Sequence, residues 1–217
     1  MKEYKIVYCG GEGEIVEKKS RFIATVKPVD SEEEASAFIA EMKKKYWDAR
    51  HNCSAFVIGD RQEMSRCSDD GEPAQTAGKP MLDVLMGQKL KNTVVVVTRY
   101  FGGTLLGTGG LVRAYSAAVQ EGLRESLIIE KHLCRKVRMS MDYTMLGKMQ
   151  YLAAKLNLMI LDTLYTDGVE MQLLVPDEQF QSFIKEVTEA SNGKVAPETE
   201  GSCYGADVEG RTEIFDA

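Results

Sequence analysis

The stretch from Asn92 to Ser116 constrains this chain more than any other. It reads Asn92-Thr-Val-Val-Val-Val-Thr-Arg99-Tyr100-Phe101-Gly102-Gly103-Thr-Leu-Leu-Gly107-Thr108-Gly109-Gly110-Leu-Val-Arg113-Ala-Tyr115-Ser116. Four consecutive valines bounded by polar residues read as a buried strand, and apolar residues recur at helical spacing from Leu111 to Leu123. The glycine-rich segment between them is therefore a strand-to-helix loop. Glycines there let the backbone take positive φ and let another molecule come close, and the free N–H groups of the helix that follows favour an anion. One reading is a phosphate site; the other is a tight turn with Arg99 and Arg113 lying along the surface.

The charge pattern favours the first reading. Between Asp83 and Glu121 no carboxylate intervenes, whereas Lys89, Lys91, Arg99 and Arg113 all fall inside that window. A chain of net charge −6 thus carries a local cationic patch able to concentrate a polyanion. Two familiar phosphate motifs fail on inspection. Gly102 to Gly107 has Walker A spacing, but Thr108 stands where lysine is needed and Gly109 where the hydroxyl is needed. Gly107-Thr108-Gly109-Gly110-Leu111-Val112 misses the last glycine of a dinucleotide fingerprint.

At 217 residues, 44% hydrophobic and 28% charged with 5 prolines, the chain is expected to be globular, with one large or two modest domains. No apolar run approaches the roughly 20 residues of a membrane span and the N-terminus has no signal-peptide core, so a cytoplasmic protein with no membrane partner is expected. The five cysteines are scattered, with no Cys-x-x-Cys, which suits reduced thiols. His51-x-Cys53 with Cys67 matches no zinc module, and neither a metal nor a cofactor is expected.

In chain order, Lys5 to Tyr8, a Gly10–Gly13 turn and one alternating run from Glu14 to Val29, with Phe22, Ala24 and Val26 on one face, read as strands. Ser31 followed by three glutamates is a helix N-cap. Ala35, Phe38, Ile39 and Met42 form the apolar stripe of that helix, and three lysines suit its C-terminal end. Asn52 to Gly59 is a strand. Asp60 to Pro80 is a long polar loop whose Asp69, Asp70 and Glu72 can cap a turn, orient a base or hold Mg²⁺. Met81 to Gln88 is a short helix. This first part, residues 1–130, is expected to be an α/β sandwich with helices on one face of a sheet.

From residue 131 the pattern restarts: a strand over Leu133 to Tyr143, a helix over Met145 to Leu156, two strands joined by Thr166-Asp167-Gly168, and a helix from Pro176 to Ala190. With room for a last strand, this is the order of a ferredoxin-like domain over 131–217. The polar, glycine-rich tail from Ala196 to Arg211 is expected to be only partly ordered. Charge separates the halves, with 18 basic against 19 acidic residues up to Glu130 and 9 against 14 from Lys131 onward.

Four segments carry a resemblance: Ser20-Arg21-Phe22-Ile23-Ala24; His51-Asn52-Cys53-Ser54-Ala55; Ser68 to Pro73 with Thr76 to Pro80; and Thr98 to Gly103 through Gly107 to Tyr115. In this order they resemble the bacterial YigZ/YvyE branch of the IMPACT family over most of the first 125 residues. The resemblance implies an α+β chain: an N-terminal domain like the second domain of ribosomal protein S5, then a ferredoxin-like domain similar to the last domain of the translocation elongation factor. Eukaryotic relatives regulate translation initiation through a partner contacted by a further N-terminal domain, which is not carried over. Bacterial members look like nucleic-acid or ribosome binders.

The leading functional expectation is a non-enzymatic, translation-related binder of RNA or the ribosome, with a translation-related protein as a further partner. Its phosphate contacts are Arg99, Tyr100, Gly102, Gly103, Gly107, Gly109, Gly110 and Arg113. Arginine forks grip phosphate, and Tyr100, Phe101 and Tyr115 can stack on bases or pack in the core. The alternative is an enzyme acting on a small phosphorylated substrate with His51, Asp69, Asp70 and Glu72 as acid, base or metal-assisting groups.

Overall fold

In the computed structural model, which describes residues 3–216, the valine run is buried on both sides. It forms β7 (Thr93–Tyr100), the middle strand of an antiparallel five-stranded sheet. The order across that sheet is β2 (Glu12–Glu17), β3 (Ser20–Pro28), β7, β4 (His51–Ile58) and β5 (Met64–Ser68). Val95 and Val97 join Phe22, Ala24 and Val26 of β3 in a core covered by α2 (Gly78–Gly87) and α3 (Thr108–Arg124). Val94 and Val96 face the other way, into a core closed by Phe38 and Met42 of α1 (Glu32–Lys45). Helices therefore cover both faces of the sheet, not the one face expected. A strand apolar at every position has no side that it can leave in water, so both faces must be roofed.

Helix α1 begins as its sequence dictates, with the Glu34 backbone N–H donating to Ser31 Oγ at 3.2 Å. Two other expectations change. The run from Glu14 to Val29 is two strands, folded back at Lys18 and Lys19, whose φ angles are +46° and +67°. The Gly10–Gly13 segment joins β1 (Glu3–Cys9) to β2 in a different sheet. β1 pairs in parallel with the two-residue β6 (Leu90–Lys91). Within the polar segment after Asp60, β5 adds an exposed edge to the five-stranded sheet.

Tyr4–Ile129 form one compact unit, and the chain from Glu130 onward, with Glu3, forms a second. The second unit runs β8 (Leu127–Met141), α4 (Tyr143–Lys155), β9 (Met159–Tyr165), β10 (Val169–Pro176), α5 (Phe180–Ser191), β11 (Pro197–Val208) and β12 (Arg211–Asp216). Strand order β9, β10, β8, β11 with the two crossover helices is the ferredoxin-like arrangement, extended by β12. Val137, Met139 and Met141 of β8 stand opposite Leu173, Met171 and Val169 of β10, and α4 and α5 cover that face with Met149, Leu152, Phe183 and Val187.

The tail expected to be partly ordered is instead the long strand β11, paired to β8 from Pro197 opposite Met139 to Gly205 opposite His132. Cys203 and Gly205 are buried on one face of this strand and Ala206 and Val208 on the other, so small side chains on both faces let it pair within the sheet despite its polar composition. All five cysteines are free; Cys53, Cys134 and Cys203 are buried, Cys9 and Cys67 exposed. Among the described residues no helix is long and apolar enough to cross a membrane.

Candidate functional site

Register in the five-stranded sheet assembles the site. Arg99 on β7 stands opposite Phe22 on β3 and His51 on β4, one row beyond the apolar row of Ala24, Val97 and Cys53. The apolar rows thus end in charge. Arg99 is only 5% exposed, with its guanidinium carbon 5.3 Å from the centroid of the Phe22 ring.

A buried cation must find a partner, and Glu72, itself 9% exposed, arrives from the loop between β5 and α2. Its Oε1 accepts from Arg99 Nη1 at 2.5 Å and from the fully buried Tyr115 hydroxyl of α3 at 2.8 Å. Cys53 Sγ lies 3.3 Å from that hydroxyl and 3.0 Å from the Asp69 carbonyl oxygen. Burial pushes the Cys53 thiol up to about 12, with Glu72, Asp70 and Asp69 adding to the effect. Burial, then Cys53 and Glu72, also drives Tyr115 far above the usual phenol range, so both groups stay protonated near neutral pH. His51 Nδ1 carries its proton toward the Asp70 carbonyl at 2.9 Å, because a carbonyl can only accept; its Nε2 is 3.8 Å from Glu72 Oε1.

Asp69 and Asp70 hold the loop that delivers Glu72. The Asp69 carboxylate accepts from the backbone N–H groups of Gln75, Ala77 and Gly78 at 2.8 to 3.0 Å. Asp70 accepts from the Asn52 backbone at 2.7 Å and from Lys43 Nζ at 2.6 Å. In both, burial raises the carboxyl pKa, and these donors outweigh it to hold the group below the usual range. Asp69 thus caps the turn, while Asp70 ties the loop to β4 and α1. Of the four acid/base residues named from sequence, only His51 and Glu72 line the cavity.

That cavity, about 340 Å³, opens over the cluster and is lined by Arg50, His51, Glu72, Arg99, Phe101 and the start of α3. Helix α3 begins after Gly107, whose φ of +73° a side chain rarely adopts. No side chain caps its first N–H groups and no acid lies in its first turn. Its positive end therefore borders the cavity with no acid of its own first turn, and Glu72, already paired with Arg99, is the one carboxylate among the described residues of that lining. Arg50 is exposed, sits 5.8 Å over the Phe101 ring, and has no carboxylate partner among the described residues. Phe101 is 40% exposed and offers part of its ring to solvent.

The other residues named from sequence separate. Arg99 is spent on Glu72, and Lys91 pairs with Asp60 at 3.0 Å, so two cations of the carboxylate-free window are neutralised by acids distant in sequence. Arg113 lies outside this cavity and lines a neighbouring depression. Tyr115 is wholly buried and cannot stack on a base; Tyr100 donates its hydroxyl to Asp48 at 2.9 Å. A Cβ on Gly102 would fall 2.0 Å from the carbonyl carbon of Lys19, so this glycine admits a neighbouring strand turn instead of a ligand. A Cβ on Gly110 would meet Leu106 at 3.0 Å, whereas Gly103 and Gly107 face open space and Gly109 approaches only the Arg113 side chain. Arg50 escaped the sequence reading because its one signal, a lone arginine before His51, is ordinary surface chemistry. Among the described residues no group of His, Cys, Asp and Glu is placed to hold a metal.

Residues 18–123 match the family model described as the Impact N-terminal domain, and residues 139–194 match a domain of unknown function, DUF1949. The chain is 45% identical to "IMPACT family member YvyE" of Bacillus subtilis (strain 168), covering 88% of each chain. It is 37% identical to "IMPACT family member YigZ" of Escherichia coli (strain K12), over 82% of this chain and 88% of that one. A solved structure titled "Crystal structure of an hypothetical protein" matches with a TM-score of 0.57 at 35% identity, covering 91% of this chain and 97% of that chain.

Proposed function

Because the chain belongs to the IMPACT family, we propose that it acts in the regulation of translation by binding RNA, free or on the ribosome, through the cavity of its first unit. The observation that carries this reading is the uncapped start of α3 facing the unpaired Arg50 across a cavity edged by the exposed Phe101. The N–H groups and the Arg50 fork hold a phosphate, and the Phe101 ring supports a base. Arg99, neutralised by Glu72, holds the cavity floor. The ribosomal-protein-like domain and the translational role of eukaryotic relatives that the sequence resemblance implies fit the same setting.

The test is co-sedimentation of the full chain with ribosomes and with a generic RNA at several salt concentrations, for wild type and Arg50→Ala. Arg50 is the better probe than Arg99, whose removal strands Glu72 in the interior. Binding that weakens steeply with salt and falls in the variant supports the reading. Absence of binding at low salt, or equal binding by the variant, sinks it.

A second reading rests on the 3.8 Å approach of His51 to Glu72 at the cavity wall: acid/base chemistry on a small phosphorylated substrate. Turnover of such a compound that His51→Ala abolishes, with no RNA retained, would favour it.

A further inference from the structure

Leu106 is a wall shared by two hollows. On its far side from the cavity a depression of about 220 Å³ is lined by Lys18, Glu17, Gly110 and Arg113. The two hollows therefore flank the same glycine-rich turn, with the first residues of α3 between them.

The arginines supply an independent argument. Arg21, Arg66, Arg99, Arg124, Arg135 and Arg138 each hold at least one carboxylate. Arg50 and Arg113, one beside each hollow, have none among the described residues, and neither does Lys18. Of the ten arginines of this chain of net charge −6, six are neutralised within the molecule; among the described residues Arg61 and Arg211 also lack a carboxylate, but Arg50 and Arg113 are the two that line hollows beside one loop. Beneath them Arg99 leaves its buried Nε without a hydrogen-bond partner. Glu17 is the one acid on the second hollow, set against two cations. Lys18 is held in place by the turn it begins, since the Lys19 backbone packs against Gly102 and the Gly102 N–H donates to Ser20 Oγ at 3.1 Å.

We propose that the two hollows form one track for a single-stranded nucleic-acid backbone. One phosphate sits at Arg50 and the first turn of α3, and its neighbour sits at Arg113 and Lys18 across Leu106. A mononucleotide fills one hollow; only a strand fills both. A duplex lacks the free base face that Phe101 can support. This rests on the RNA reading above and narrows it to a ligand class.

The experiment is fluorescence anisotropy of the full chain with labelled oligouridylates of increasing length, with uridine monophosphate and an RNA duplex as competitors. It compares wild type, Arg50→Gln and the double variant Lys18→Gln/Arg113→Gln across a salt series. Expected are affinity that climbs over the first few nucleotides, weak competition by the monophosphate and the duplex, and a roughly tenfold loss in the double variant. The slope of log affinity against log salt should become shallower by about 0.7 for the lost phosphate contact. If Arg50→Gln weakens binding while the double variant keeps wild-type affinity and slope, the track is overturned and the RNA reading stands. The monophosphate or the duplex competing as well as the strand also overturns it. If no oligonucleotide binds wild type at low salt, both readings fall together.

Discussion

The two units bury very different interiors. Ser20, Asn52, Ser54, Glu72, Thr76, Lys91, Thr93, Thr98 and Arg99 are buried polar or charged side chains of the first unit, whereas among the described residues the second buries only Ser191. The second unit keeps its ionic groups at the surface, where Arg138 meets Glu198 at 3.1 Å, Glu200 at 3.2 Å and Glu170 at 3.7 Å. A dry core stabilises without constraint on function. A polar core is tolerated when its charges are paired, and here the pairing of Arg99 with Glu72 shapes a cavity floor.

Substitution at the two ionic clusters gives the largest expected contrast. Glu72→Ala leaves the Arg99 guanidinium buried and unpaired and should destabilise the first unit by about 3 to 5 kcal/mol. Arg138→Ala, at a surface cluster screened by water, should leave the unfolding midpoint close to wild type. Denaturant unfolding of the two variants checks the pair, and similar losses would erase the distinction between the interiors.

Glycine substitutions should differ less. Gly102→Ala drives a Cβ into the Lys19 backbone, for an expected loss of about 1 to 3 kcal/mol. Gly201→Ala on β11 meets nothing within 4 Å and should stay within about 0.5 kcal/mol of wild type. Equal thermal shifts for both would mean that the turn at Lys18 and Lys19 yields freely.

The smallest effect concerns pH. Backbone donors outweigh burial and hold Asp69 below its unfolded value of about 3.9, so its contribution is fully present above that pH. It is lost as pH falls through the depressed folded value. Asp69→Asn should cost about 1 kcal/mol at neutral pH and flatten this part of the acid limb. An unchanged acid limb would remove Asp69 from the account of the loop.

Much of this was legible in the chain itself. The valine run, the Ser31 cap and the Asp167-Gly168 turn announce their elements locally, through burial, capping and turn chemistry. Elements closed by partners far along the chain did not. The hairpin at Lys18 and Lys19 lacks the Asn-Gly signal, and β5 and β11 are polar strands recruited by a neighbour's edge. The site shows the same limit. The glycine loop and Arg99 stood out, but the pairing of Arg99 with Glu72 across 27 residues, and hence its loss as a free cation, depends on the folded register. Arg50 gains meaning only from the cavity beside it.

The placement of the buried thiols turns the molecule into its own clock. Cys53 lies in the interior of the first unit, Cys134 and Cys203 lie opposite one another in the second, and Cys9 and Cys67 are open to reagent in the native state. Brief alkylation after blocking the exposed pair would mark Cys53 each time the polar interior opens and Cys134 or Cys203 each time the dry one does. Peptide masses would then give two opening frequencies from one sample, timing each unit's breathing separately.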